Sequence, residues 1–295
     1  MSISSRPRRS FLYMPGSNAR ALDKGRRLAA DALIMDLEDS IAPNAKTESR
    51  TTITVELGKG GYGRREILVR INALDTDWGR DDIAAIARTS ADAILVPKVS
   101  SVSDVLSVDS AMAAAGAPDG MAIWCMIESP MAILNIREIA AASPRLGGFV
   151  MGTSDLVKDL GALHTTERLP LVTSLGMTVL AARAHGLAII DGVHLDLDDD
   201  AGFKASCRQG REFGFDGKSL IHPKTLAAAN AVFGPTENDI SHARKVIDAF
   251  DAAIADGKGV AVLDGKLIEN LHAETARQVL ALAENIAALD ADVAA

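Results

Sequence analysis

The sequence predicts a (β/α)8 TIM barrel with a mainly helical C-terminal extension, and three observations lead there. Eight short apolar runs recur along the chain: SFLYMP, ALIMDLED, EILVRIN, AILVPKV, AIWCMIES, GFVMGTSDL, LAIIDGVH and FDGKSLIH. A continuous apolar run bounded by turn residues fits a parallel strand covered on both faces. Between the runs lie segments with helical spacing, such as DDIAAIARTS and SPMAILNIREIAAA. The competing doubly wound sheet would carry a G-x-G-x-x-G phosphate fingerprint in its first strand-to-helix turn, where this chain reads MPGSNAR.

Each run matters for what its C-terminal end delivers, because chemistry in parallel α/β folds collects beyond the carboxyl ends of the strands. The first ends in the MPGSNAR turn. The second ends in DLED, with Asp36, Glu38 and Asp39, and the third in VRIN, with Arg70. The fourth closes on Lys98 in VPKV, the fifth on Glu128 in IES, and the sixth leads into Asp155 in GTSDL. The seventh and eighth end at His194 and His222. A chain of 295 residues accommodates one barrel of roughly 250 residues plus an appendage. The barrel is assigned to residues 1–232 and the extension to 233–295, starting at FGPTEND and passing through GVAVLDGKLIEN to a terminal helix rich in Ala and Leu. So short an extension cannot build its own core, so it packs on its barrel or on a neighbouring subunit.

Composition narrows the setting. Hydrophobic residues at 48% and charged residues at 24% are the profile of a soluble globular protein. A formal net charge of -8 argues against nucleic acid as a partner, and no apolar stretch is long enough to span a bilayer without charges. The basic N-terminus MSISSRPRRS is not followed by a signal-type apolar region, so the expected location is the cytoplasm. Cys125, in a predicted strand, and Cys207, in a predicted helix, have no ligand or C-x-x-C spacing and read as packing residues in a reducing compartment.

Glu128 and Asp155 are the candidate metal ligands, since Mg2+ takes one or two protein carboxylates and keeps its other positions for water and substrate. Taken singly, Glu128 reads as a cap of the helix starting at Pro130, and Asp155 as a solvated loop residue. The guanidinium of Arg70 can hold a carboxylate or a developing oxyanion, or can pair with the acids of DLED; spacing alone leaves both open. Lys98 is a structural or electrostatic lysine rather than a Schiff-base amine, because surrounding carboxylates favour its charged form. The six histidines lack partners at metal-ligand spacing, and no G-x-S-x-G elbow is present.

Taken together, RSFLYMPGSNARALDKGRRLAADALIMDLEDSIAPNAKTESR, VRIN, VPKV, IES, GTSDL, IIDGVHLDLDD and FDGKSLIHPKTLAAANAVFGPTEN resemble the citrate lyase beta-subunit-like family of the HpcH/HpaI aldolase superfamily, which includes malyl-CoA lyases. The resemblance runs from about Arg9 to Asn270. It implies a Mg2+-dependent barrel, with Mn2+ as a substitute, acting on a CoA thioester and a small 2-oxo acid. It also implies homotrimers or hexamers in which the C-terminal segment of one subunit covers the site of the next. Carried over residue by residue, it makes Glu128 and Asp155 the metal ligands and Arg70 the residue that polarises the substrate oxygen. Asp36 and Glu38 would position metal-bound waters and Arg70, and Arg9 and Lys24 would contact the CoA moiety.

One departure stands out. Malyl-CoA lyases commonly carry a DGxMID-like segment whose final Asp is the acid/base supplied across the subunit interface, whereas this chain has DGKLIEN, with Glu269 in that place. Asp264 is a possible substitute, although its DG context reads first as a turn. The expected reaction is a reversible Claisen-type cleavage of a malyl-CoA or citramalyl-CoA type thioester, with Glu269 moving the proton. The alternatives are a malyl-CoA thioesterase or malate synthase-like activity, and a citryl-thioester lyase subunit of a citrate lyase complex.

Overall fold

The computed structural model describes residues 6–294. Its eight parallel strands close into a barrel in sequence order: β1 (Ser10–Pro15), β2 (Ala32–Asp36), β3 (Glu66–Arg70), β4 (Ala93–Val96), β5 (Ala122–Ile127), β6 (Leu146–Met151), β7 (Ala188–Asp191) and β8 (Gly217–Leu220). All eight apolar runs read from the sequence form strands. β8 pairs back onto β1, with Ser10 beside Lys218, and closure removes the sheet edges. Outside the barrel, α1 (Ala19–Gly25), α2 (Lys46–Lys59), α3 (Gly79–Ile86) and α4 (Val102–Ala114) follow the first four strands. Then α5 (Pro130–Leu134) and α6 (Ile136–Ala140) follow β5, α7 (Thr153–Asp159) and α8 (Val172–Ala184) follow β6, α9 (Asp200–Phe213) follows β7, and α10 (Leu226–Phe233) follows β8.

Period-two alternation sorts the strand residues into two cores. Phe11, Ile34, Leu68, Leu95, Trp124, Met126, Val150 and Ile190 point into the barrel. Their sequence neighbours Leu12, Leu33, Val69, Ile94, Cys125, Phe149 and Ile189 face the helices in the larger cluster. Trp124 fills the barrel centre, its ring 5.2 Å from that of Phe11, and a Cβ on Gly148 would come within 2.7 Å of it. The interior is therefore solid, and ligands can reach only its ends. Two residues beyond the inward layer, the same alternation puts Tyr13, Asp36, Arg70 and Glu128 at the C-terminal mouth.

The extension comprises α11 (Glu237–Ala255), a hairpin of β9 (Ala261–Leu263) and β10 (Lys266–Ile268), and α12 (Asn270–Ala294). Thr236 starts α11 with a capping box closed by Asp239. Asp264 and Gly265, at φ 49° and 73°, make the two-residue hairpin turn, so Asp264 has the turn role its sequence context suggests. Contrary to the expectation that so short a segment builds no core, Val246, Phe250, Ala261, Ile268 and Ala273 form a small apolar cluster of the extension's own. The end of α12 returns to the barrel floor, where Asp290 meets Arg9 at 3.2 Å. Among the described residues, no helix is long and apolar enough to cross a membrane.

Candidate active site

Asp36 and Arg70 are register partners across the β2–β3 ladder and share the inward face, so the fold itself brings them together. Arg70 Nε donates to Asp36 Oδ1 at 2.6 Å and Nη2 to Oδ2 at 2.7 Å, a bidentate fork. Asp36 also accepts the backbone N–H groups of Glu38 and Ser40, at 2.9 and 3.1 Å. Burial alone would raise the Asp36 carboxyl; the hydrogen bonds and charge of Arg70, with the Ser40 side chain and the Glu38 N–H, hold it below its ordinary value instead. The remaining Arg70 nitrogen, Nη1, faces Glu38 at 2.9 Å and Asp39 at 3.2 Å, and the guanidinium carbon lies 4.9 Å from the centre of the Tyr13 ring. Arg70 is thus fixed on several sides with only its Nη1 edge toward the mouth.

Glu128 is buried at the end of β5. One of its oxygens accepts the Lys98 backbone N–H at 2.6 Å, while a Cβ on Gly152 would come within 2.4 Å of the other. Burial is the main influence on this carboxyl and the Lys98 N–H opposes it; the charges of Glu38 and Asp155 add to burial, pushing the value up to about 7. Asp155 stands half-buried in the first turn of α7, where a carboxylate also favours the helix N-terminus. Both carboxylates line one cavity of about 410 Å³ together with Tyr13, Asp36 and Arg70, and Val193 and Ile221 give it an apolar wall. Two carboxylates lining one cavity, one of them buried, suit a divalent cation. Among the described residues, no three His, Cys, Asp or Glu side chains gather as a metal cage. The Glu128–Asp155 pair alone would hold an ion, as Mg2+ with its retained waters permits.

A larger cavity, of about 750 Å³, lies at the opposite end between the barrel floor and α12 and is lined by Arg6, Arg8, Arg9, Arg211 and Arg277. None of the strand-end carboxylates reaches it, so size does not identify the site. The mouth cavity collects Asp36, Asp39, Arg70, Glu128 and Asp155, and Glu38 joins them through Arg70. Lys98 Nζ lies 3.5 Å from Glu38. Burial works against its charge, but Glu38 and Asp39 hold the ammonium above its ordinary value, which disfavours a Schiff-base role.

Arg9 requires a correction. It precedes β1, so the six residues of that strand, roughly 20 Å at 3.3 Å per residue, separate it from the mouth. Its guanidinium is buried against Asp31, with two contacts of 2.8 Å, and ties the floor to α12. It is a floor residue and does not reach a CoA bound at the mouth. Lys24 is exposed on the last turn of α1 and does not line the mouth cavity either. Glu269 is exposed at the end of the hairpin, its N–H donated to His272 Nδ1 at 3.0 Å, and it lies outside the mouth cavity of its own chain.

Several residues escaped the sequence reading. Tyr13 was legible in principle, because in SFLYMP it shares the inward parity of Phe11. The Lys98 amide and Gly152 act through backbone geometry, which has no motif. Asp191 and Lys218, in the IIDG and DGKS segments, form a fully buried ion pair at 2.8 Å, joined by Arg168, whose Nη1 donates to both Asp191 oxygens at 2.7 and 2.9 Å. They share the parity of Ile189 and Leu220 and so lie between sheet and helices, outside the mouth. His194 packs edge-on to Phe203 at 6.0 Å, and His222 accepts the Lys224 N–H at a turn. Cys125 and Cys207 are buried, and burial pushes the Cys207 thiol up to about 11.

This arrangement has counterparts among known proteins. The chain is 51% identical over 291 residues to a (3S)-malyl-CoA thioesterase of Cereibacter sphaeroides, covering 99% of this chain and 100% of the relative. It is 36% identical to the citrate lyase subunit beta of Escherichia coli, over 95% of this chain and 94% of that protein. The CitE protein of Mycobacterium tuberculosis, solved with magnesium, acetoacetate and coenzyme A, superposes with a TM-score of 0.75 at 25% identity over 95% of this chain and 100% of that one. A family model described as HpcH/HpaI aldolase/citrate lyase matches residues 9–223, a span that contains all eight barrel strands and every mouth residue named above. With the full-length relatives agreeing, that match makes the chain a member of the HpcH/HpaI aldolase/citrate lyase family.

Proposed function

We propose that this protein hydrolyses a short 3-hydroxydicarboxylic acyl-CoA thioester of the malyl-CoA type, with Mg2+ or Mn2+ held by Glu128 and Asp155. One juxtaposition carries the reading: an arginine locked by Asp36 shares a small cavity with two carboxylates, one of them buried and resistant to ionisation. The full-length likeness to a malyl-CoA thioesterase favours hydrolysis over the C–C cleavage that the motifs alone put first. Once bound, the cation would neutralise and orient the carboxylate and hydroxyl end of the acyl chain. Arg70 turns its Nη1 edge to the oxygen on which negative charge develops, and the exposed Asp39 gives way to it. Asp36 keeps the guanidinium in place through the reaction. Val193 and Ile221 hold water off one side of the cavity.

The proton of the attacking water needs an acceptor, and Glu269 of a neighbouring subunit is assigned to it. Two observations support a shared site in a homo-oligomer. Glu269 is absent from its own mouth cavity, and the segment around it exposes Val262 at 70%, Leu267 at 54% and Leu271 at 58%, an apolar patch suited to a second copy.

Carbon–carbon cleavage is the second reading, favoured by the likeness to a citrate lyase subunit. There Arg70 polarises the oxygen that becomes the carbonyl of the 2-oxo acid, and Glu269 returns a proton to the thioester enolate. Incubation with (3S)-malyl-CoA separates the two. Hydrolysis yields malate and a free CoA thiol, whereas cleavage yields acetyl-CoA and glyoxylate with no thiol released. Thiol release in step with malate supports the proposal; glyoxylate without thiol replaces it by the lyase reading.

A further inference from the structure

We infer that Lys98 is a positioning residue that acts through its backbone, its left-handed turn aiming one amide N–H at Glu128 to fix the carboxylate orientation on which metal binding depends. The inference rests on the reading of Glu128 as a metal ligand. Among the described residues, only Lys98, Arg168 and Asp264 hold a positive φ without being glycine. Asp264 sits in a hairpin turn and Arg168 is anchored on Asp191, whereas Lys98, at φ 54°, stands directly at the mouth. Such a conformation belongs to Gly or Asn, and a residue with a long side chain keeps it only where its surroundings impose it.

The surroundings here are specific. β4 ends at Val96, and Pro97 has no N–H to give. The first donor beyond the strand is therefore the Lys98 amide, which the turn directs at Glu128 Oε1 at 2.6 Å, a charge-assisted length. On the far side, Gly152 leaves room for the other oxygen, where any Cβ would collide. The carboxylate is thus held on one side by a backbone hydrogen bond and given room on the other by a residue without a Cβ. The Lys98 side chain contributes little to this grip, being 59% exposed and 3.5 Å from Glu38.

Backbone and side-chain roles separate cleanly by substitution. Lys98→Gly and Lys98→Asn keep the left-handed turn and discard the ammonium, whereas Lys98→Ile opposes the turn. Mn2+ affinity, read from the electron paramagnetic resonance of free Mn2+ over the purified protein, is the primary measurement. The Gly and Asn variants should stay within about twofold of the parent, since an exposed ammonium contributes little. The Ile variant should bind about 10- to 100-fold more weakly, the usual loss when a partner that orients a ligand is removed. If thermal melting shows that Lys98→Ile fails to fold, Lys98→Ala takes its place with a smaller loss in the same direction. The proton shift of the residue-98 amide gives a readout independent of metal: far downfield in the parent, Gly and Asn proteins, and moved upfield in Glu128→Ala. Parent-like Mn2+ affinity in the Ile and Ala variants overturns the inference, as does equal weakening in the Gly variant, which would assign the effect to the side chain. Undiminished Mn2+ binding in Glu128→Gln overturns instead the metal reading on which it rests, while the amide shift still reports whether the turn holds Glu128.

Discussion

Arg70 is made useful by the side chains that hold it. Its fork spends Nε and Nη2 on Asp36 and leaves Nη1 toward the mouth, a division that a lysine cannot reproduce. Arg70→Lys should therefore lower kcat/KM by about 10²- to 10³-fold, as loss of one preorganised donor does, and added Mg2+ should not restore it. Unchanged kinetics in that variant would leave Arg70 a purely structural ion pair. Glu128 makes a pH-dependent prediction. Folding raises its proton affinity to about 7, so as pH climbs from the ordinary carboxylate range the unfolded chain releases this proton first. The metal-free protein should lose up to about 3 kcal/mol of stability by about pH 7 and no more from this group beyond it. Mg2+ prefers the ionised form, so the rise in Tm that it produces should be small near pH 5.5, large near pH 8, and absent in Glu128→Gln. A Mg2+ effect independent of pH would sink the assignment. The charged residues at this site were legible because strand ends announce themselves in sequence. The Lys98 amide and the Gly152 gap were not, since a backbone angle and a missing Cβ leave no chemical signature.

Among the elements, β7 and β8 carry a buried charge arrangement whose balance can be tested. Asp191 is fully buried with two cations, Lys218 and Arg168, and Gly210 leaves it room, since a Cβ there would come within 2.8 Å of the carboxylate. Burial works against both Asp191 and Lys218 as ions; Lys218 and Arg168 hold the Asp191 carboxyl below its ordinary value, whereas burial, with the charge of Arg168, brings the Lys218 ammonium below its own despite Asp191. The two substitutions are therefore unequal. Lys218→Met leaves Asp191 paired with Arg168 and removes a desolvated charge, so it should cost less than about 2 kcal/mol. Asp191→Asn strands two cations and should cost about 3 to 5 kcal/mol, read from the urea midpoint. Equal losses would show that the ion count does not govern this layer. Arg168 also ties the loop between α7 and α8 to the barrel, so Asp191→Asn should in addition expose that loop to proteolysis. The eight strands could be read from apolar runs because both faces of a parallel strand are buried. The pairing of Asp191 with Arg168 could not, because it spans 23 residues and depends on a loop without periodicity.

At the scale of the whole molecule, the barrel delivers all its mouth residues from one chain, but the acid/base assigned to Glu269 lies on an extension that turns away from its own mouth. Residues 9–223 match the family model, and Glu269 lies beyond that span. The placement of Arg9 illustrates the same limit: a basic residue near the first strand reads as a CoA contact until the direction of β1 puts it on the floor. Sequence order gives neighbours along the chain and, with alternation, across the sheet; it does not give neighbours across an interface. The composite site has a direct test. Glu269→Gln should keep Mn2+ affinity and substrate binding and lose turnover by about 10²- to 10⁴-fold, the usual contribution of a positioned proton acceptor. Glu269→Asp should recover part of that, because the carboxylate survives at shorter reach. Arg70→Ala should be inactive for a different reason, on a different element. If sites are shared, mixing the two inactive proteins and allowing subunits to exchange builds some interfaces with an intact Arg70 from one subunit and an intact Glu269 from the other, and activity returns. With exchange verified by mass-tagged subunits, a mixture that stays silent would place the proton acceptor within one chain, and full activity of Glu269→Gln alone would remove this residue from the reaction.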